Sequence, residues 1–263
     1  MSKFCSLYSS SSGNSVYIGH SGGGILIDIG CSAKRTRETL DDIGVDSSEI
    51  GAVFVTHEHS DHIAGVRVFA SKRHLPVYAT AGTLEGMKDA GALDGSFRAD
   101  VIPASGVEAA GMFVRPFRTS HDSNESCGYT VEMPDGSRLA VATDLGTMTD
   151  EVLGAIVGCR IILLESNHDV RMLQANPRYP YPLKRRILSD VGHLSNDACS
   201  QAASALVESG TTHILLGHLS KENNIPDLAY RCTSDALSQA GMVEGRDYIL
   251  GVAGVGAPKP IAF

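Results

Sequence analysis

The 263-residue sequence predicts an α/β fold. Short apolar runs bounded by turn residues recur along the chain, and amphipathic stretches of helical period lie between them. Several residues of metal-ligand type also stand just past apolar runs, where open α/β sheets place their ligands. Strands are expected near 4–8, 15–19 and 24–28, with the Ser-rich turn SSSSGNS between the first two. A helix near 32–43 leads to a strand near 52–56, carried by AVFV. A helix near 63–74 and a strand near 76–79 follow, then strands near 112–117, 127–132 and 138–142. A helix near 150–157 precedes the strand IILLE near 161–165. Ser195-Asn196 starts a helix near 196–209 and Gly210 stops it, by capping preference and by the glycine's freedom at a helix end. A strand near 213–216 is followed by a helix near 226–240, with Pro226 in its first turn.

Hydrophobic residues make up 43% and charged residues 20%, which excludes a mostly disordered chain. No apolar run approaches the roughly 20 residues that span a bilayer. The start, MSKFCSLYSS, turns polar before a signal-peptide core forms, so a cytoplasmic location and no membrane partner are expected. The formal charge of -8 excludes a whole-surface attraction for nucleic acid but leaves room for a local basic patch. The six cysteines are scattered without a CxxC pair and read as reduced, mostly buried thiols. No Pro/Ser/Gly-rich linker divides the chain, so one domain over 1–263 is expected. Residues 171–192 stand apart as an irregular basic insertion, rich in prolines, tyrosines and basic side chains.

The strongest chemical signal is THEHSDH, residues 56–62. Side chains two apart on extended backbone point the same way, so His57 and His59 can grip one metal. The turn then presents Asp61 and His62 to a neighbouring position. Imidazole and carboxylate suit zinc, and also manganese or iron. Two ligands per metal are too few, and His121, Asp144 and His218 each follow an apolar run, in FRTSHD, AVATDLG and HILLGHLS.

HxHxDH followed by single His, Asp and His at strand ends resembles the metallo-β-lactamase fold superfamily. SLYSSSSGNSVYI, VTHEHSDHIAGV, ATDLG, LESNHDVRML, YPYPLKRRILSDVGHLSN and LGHLSKENN, in that order, resemble its YycJ/WalJ metallohydrolases. The resemblance implies a four-layered αββα sandwich and two divalent ions. His57, His59 and His121 would hold the first, Asp61, His62 and His218 the second, and Asp144 would bridge them. Asp28, in LIDIG, would brace the ligand loop. It also implies degradation of DNA from a 5′ end, with a hydroxide bridging the metals as nucleophile.

Thioesterases of the superfamily share that ligand set, so the ligands alone do not decide the substrate. Glu165 ends IILLE and His193 stands in GHLS, a pair resembling the one that protonates the leaving oxygen in the tRNA 3′-processing nuclease. Expelling an alkoxide from a phosphodiester needs such a proton donor. His168 and Asp169, in ESNHD, are candidates for bracing, substrate contact or proton transfer. Ser12, Gly13, Asn14 and Ser15 are candidates for a phosphate-binding turn. Lys184 and Arg185, with Arg171, Arg178, Arg186, Tyr179 and Tyr181, offer a track for phosphates and bases, and Lys221 lies just past His218. Hydrolysis of a small or cyclic phosphodiester is the competing enzymatic reading. A metal-holding signalling module without turnover is the third.

Overall fold

The structure is a computed structural model of the chain, describing residues 1–254 and 256–263. In chain order the strands are β1 (Lys3–Ser10), β2 (Gly13–His20), β3 (Gly23–Ile27), β4 (Ile50–Phe54), β5 (Val77–Ala79), β6 (Ala99–Val101) and β7 (Val107–Ala109). They continue as β8 (Met112–Arg118), β9 (Cys127–Glu132), β10 (Arg138–Ala142), β11 (Ile161–Glu165), β12 (His213–Gly217), β13 (Ile249–Val252) and β14 (Ile261–Ala262). The helices are α1 (Ala33–Asp42), α2 (Ser60–Ile63), α3 (Val66–Ser71), α4 (Ala81–Asp89) and α5 (Asp150–Ile156). They end with α6 (Val170–Ala175), α7 (Tyr181–Ile187), α8 (Asn196–Glu208) and α9 (Pro226–Gln239). The chain divides into two compact units. The first holds Met1–Pro116, Ser123–Cys127 and Gly256–Phe263; the second holds Phe117–Asp122 and the stretch from Gly128 that precedes Gly256.

In the first unit the sheet order is β14-β1-β2-β3-β4-β5-β6. The strands β1 to β3 are antiparallel, and β3 to β6 run parallel. Leu26, Val53, Val55 and Val77 form one core with Leu40, Val66, Phe69 and Met87 from α1, α3 and α4. Because β3 and β4 are parallel neighbours, the residues that follow each of them emerge at the same sheet edge. The helix expected near 63–74 is divided into α2 and α3 at Gly65. A side chain there would collide with the Cys31 carbonyl, and Gly65 N–H donates to Ile29 O at 2.8 Å. The chain is pulled against the end of β3, and the helix is interrupted where it crosses.

In the second unit β9 pairs antiparallel with β10, and β10, β11, β12 and β13 are parallel. Ala140, Ala142, Ile162, Leu164, Ile214 and Leu216 pack with Val152 and Ile156 of α5, Cys199 and Leu206 of α8, and Leu237 of α9. Buried positions recur in α8 at Cys199, Ala202, Ala203 and Leu206, the spacing of one helical face. The Ser195 hydroxyl accepts from Ala198 N–H, so the expected start of α8 is the observed one.

The expectation that 171–192 is irregular is corrected: the segment forms α6 and α7. Three prolines suggested a broken chain, but Pro182 falls in the first turn of α7, where its missing N–H has no helical partner to lose. All six cysteines are free, and four are buried. Among the described residues no helix is long and apolar enough to cross a membrane.

Candidate metal centre

In the first unit the ligand loop follows β4. His57 lies on the loop, His59 caps α2, and Asp61 and His62 lie within α2. Asp28 sits just past β3 in a left-handed conformation (φ 60°). Its carboxylate accepts from Thr56 N–H at 2.8 Å, from the Thr56 hydroxyl at 2.8 Å and from His62 Nδ1 at 2.8 Å. The carboxylate can only accept, so His62 carries its proton on Nδ1 and turns the Nε2 lone pair outward. Asn14 Nδ2 donates to that Nε2 at 3.0 Å and to Asp61 Oδ2 at 3.2 Å. The Thr56 hydroxyl spends its one proton on Asp28 and therefore accepts from His57 Nδ1 at 3.0 Å. His57 then also presents Nε2, which faces His59 Nδ1 at 3.1 Å. One carboxylate and one hydroxyl thus set both imidazoles to the tautomer that ligates through Nε2.

In the second unit three neighbouring parallel strands each end on a site residue. Asp144 follows β10, Glu165 is the last residue of β11, and His218 follows β12. Asp144 (φ 59°) and His218 (φ 54°) are both left-handed, as Asp28 is. Glu165 is fully buried and accepts four hydrogen bonds. His193 Nδ1 and His218 Nδ1 each lie 2.8 Å from its Oε1, and the amides of Leu145 and Leu194 donate to Oε2 at 2.6 and 3.2 Å. Burial alone would raise the Glu165 carboxyl; the His193 charge and the hydrogen bonds from both histidines outweigh it and hold the carboxyl well below the usual range. His218 therefore donates from Nδ1 and presents Nε2. His121 donates from Nδ1 to Gly192 O at 3.0 Å, and its Nε2 lies 3.7 Å from Asp144 Oδ1. Burial pushes the His121 imidazole down, toward the neutral form that ligates.

The donor chemistry fits a divalent cation. Four histidines, His57, His62, His121 and His218, have Nδ1 on a protein acceptor, which makes Nε2 the nitrogen whose lone pair could ligate. Ligand atoms of Asp144, Glu165, His193 and His218 lie within 4.8 Å of one another. His193 is half-buried, and with Nδ1 donated to Glu165 its other nitrogen is the one available for proton transfer.

The remaining candidates divide. His168 is 1% exposed, and neither ring nitrogen has a hydrogen-bond partner among the described residues. Burial pushes its pKa down to about 4. Asp169 caps α6 by accepting from Met172 N–H at 2.7 Å. In the Ser-rich turn Asn14 and Ser15 are buried, and Ser15 donates to Asp28 O at 2.7 Å. Those two side chains brace the ligand loop. Gly13 is buried too, and of the four candidates in the turn only Ser12 is exposed. Lys221 is exposed just past β12, and Lys184 and Arg185 lie on α7. Sequence reasoning missed Thr56, although it directly precedes the first ligand histidine. It also missed the amides of Leu145 and Leu194, which no side-chain pattern reveals.

Residues 24–219 match the family described as β-lactamase superfamily domain. The exodeoxyribonuclease YycJ of Bacillus anthracis is 37% identical over 249 residues, covering 93% of this chain and 92% of that protein. The exodeoxyribonuclease WalJ of Streptococcus pneumoniae is 36% identical, covering 94% and 92%. Among solved structures, the metallo-β-lactamase fold protein YhfI of Bacillus subtilis superposes with a TM-score of 0.72 at 14% identity, over 98% of this chain and 99% of that one.

Proposed function

Because this chain belongs to the β-lactamase superfamily, and within it to the YycJ/WalJ group, we propose that it is a divalent-metal-dependent exodeoxyribonuclease acting from a 5′ end. The observation that carries the reading is Glu165, a fully buried carboxylate holding His193 and His218 at once. We assign His57, His59 and His121 to one ion, Asp61, His62 and His218 to the other, and Asp144 to both. Zinc and manganese both suit this nitrogen and oxygen set. Bound there, the ions would supply Lewis acidity toward the phosphoryl oxygens and a water acidic enough to attack near neutral pH.

The chain's own residues do the rest. Asp28 and Thr56 hold His57 and His62 in the ligating tautomer before any ion arrives. Glu165 orients His193 by accepting from its Nδ1, so that Nε2–H is the group that protonates the departing 3′ oxygen. A 5′-phosphate remains on the shortened strand. A thiolate leaves without such help, so the Glu165–His193 pair favours a phosphodiester over a thioester.

The test compares His193→Ala with the parent on a 5′-labelled DNA strand and on bis-p-nitrophenyl phosphate, after metal analysis of both. The variant should keep its metal and lose about 10²- to 10⁴-fold on DNA, the usual range for a general acid. The loss should be far smaller for the p-nitrophenolate leaving group. Equal losses on both substrates would overturn the acid role. A parent that cleaves only the small diester would replace the nuclease reading with the small-phosphodiester one.

A further inference from the structure

We propose that α7 is a docking face for a single-stranded stretch of the DNA, with Tyr181 as base-stacking platform and Lys184 and Arg185 as phosphate contacts. This rests on the nuclease reading above and deepens it.

A seven-residue helix has no stability of its own in water and ordinarily survives by burying a face. None of the residues of α7 is buried. It is held at its C-terminal end by backbone. His193 N–H donates to Ile187 O at 3.0 Å, and Gly192 passes so close to the Arg186 and Ile187 carbonyls that a side chain there would collide with both. The same short segment supplies Gly192 O to His121 and Val191 O to the Asp122 amide. The helix is therefore tied to the backbone that carries His193 and steadies His121, while Tyr181, Pro182 and Arg185 stay exposed and half-buried Lys184 gives one of its three ammonium protons to Gln174 O at 2.7 Å.

That surface has a definite composition. Tyr181, Lys184, Arg185 and Leu188 follow the spacing i, i+3, i+4, i+7, so they share one side of the helix. Tyr181 is 73% exposed and Leu188 42%, and Val191 beside them is 45% exposed. Tyr181 is the one aromatic among the exposed large apolar side chains of the described residues. Residues 171–188 contain no acid, in a chain of formal charge -8. Arg178 is engaged by Glu222 and Arg186 by Asp122. Arg171 and Arg185 are exposed and enter no ion pair among the described residues.

An open ring among cations is the pattern that binds single strands, since every unpaired base offers a flat face and every nucleotide a phosphate. A duplex keeps its bases stacked and offers no such face. On an acidic protein a polyanion can settle only where the local charge is positive. Interfacial membrane helices need a broad apolar face, and seven residues do not provide one.

The test measures binding separately from turnover. Anisotropy of a fluorescein-labelled single-stranded oligonucleotide is followed across a KCl series in an Asp61→Asn background. Tyr181→Ala should weaken binding about tenfold, the scale of one base–aromatic stack. Tyr181→Phe should retain it. Arg185→Glu should lower the slope of log affinity against log salt by about 0.7, one single-strand phosphate contact. Parent-like affinity and slope in both Tyr181→Ala and Arg185→Glu would overturn the proposal. So would binding of phosphatidylglycerol vesicles without binding of the oligonucleotide. If α7 variants lose the oligonucleotide but the parent cleaves no phosphodiester, the docking face stands and the nuclease reading falls. If the parent cleaves DNA and the variants bind as it does, the reverse holds.

Discussion

Asp28, Asp144 and His218 are three of the five non-glycine residues with left-handed backbone among the described residues. Each such residue stores about 1–3 kcal/mol of strain and persists only where its surroundings over-determine it. Asp28 shows how. Its amide donates to Phe54 O at 2.8 Å while its carboxylate gathers Thr56 and His62. The turn that costs strain is what aims the carboxylate back at the ligand loop. His168 carries a different burden. It is an imidazole sealed from water with a pKa near 4, below its ordinary 6.5. The folded protein therefore disfavours its protonated form. The resulting stability is fully present above pH 6.5 and is lost as pH falls toward 4, on the order of 3 kcal/mol in all. Urea midpoints for the parent should fall through that window. A His168→Asn protein, compared with its own value at pH 7, should show a shallower fall. Parallel curves for the two proteins would show that His168 does not titrate as its burial requires.

At the scale of elements, β3 and α2 meet at Gly30. A side chain on Gly30 would lie inside the radius of the Asp61 carbonyl oxygen and against the Asn14 amide. Gly30→Ala should therefore destabilise the chain by about 1–3 kcal/mol, the range for overpacking. It should also lower metal content, because the displaced residue, Asp61, is one of the ligands proposed above. Thermal melting and metal analysis on one preparation check both, and full metal content with the parent's melting temperature would contradict the close packing. The glycine was legible in LIDIG, but its reason was not: it lies in an approach between segments thirty residues apart. The same limit explains the other differences. The parallel strand IILLE, buried on both faces, read clearly because burial leaves a continuous apolar run, and HILLG read clearly because its apolar run continues through half-buried Leu215. The three-residue strands β6 and β7 are half-exposed and carry no alternation to read. The helix α4 contains two glycines, and Gly86 is required because the Glu58 side chain packs where its Cβ would be. Ligand-type residues were legible for the opposite reason. Their chemistry is rare, and their place past an apolar run follows from the sheet. Thr56 and the amides on Glu165 were illegible because hydroxyl and backbone donors are everywhere in any sequence.

For the whole molecule the formal charge of -8 sets the terms on which the proposed metal and DNA would be bound. Asp144 and Glu165 are buried side by side in the second unit, where their mutual repulsion is poorly screened. Bound divalent ions would offset that charge, so they should act as structural ligands as well as catalytic ones. An ion at a hundredfold excess over its Kd adds about 2.7 kcal/mol. At about 2–4 °C per kcal/mol for a chain near this length, removing it should lower the melting temperature by roughly 5–10 °C. The measurement is a melt of metal-loaded protein, then of the same protein after chelation at matched ionic strength, then after adding back zinc or manganese. Nitrogen-rich sites bind zinc more tightly than manganese. At equal free concentration zinc should therefore restore more of the lost stability. His57→Ala should show a smaller shift on chelation than the parent. A melting temperature indifferent to chelation, in protein shown to have been loaded, would mean that the histidines and acids do not share their charge with an ion.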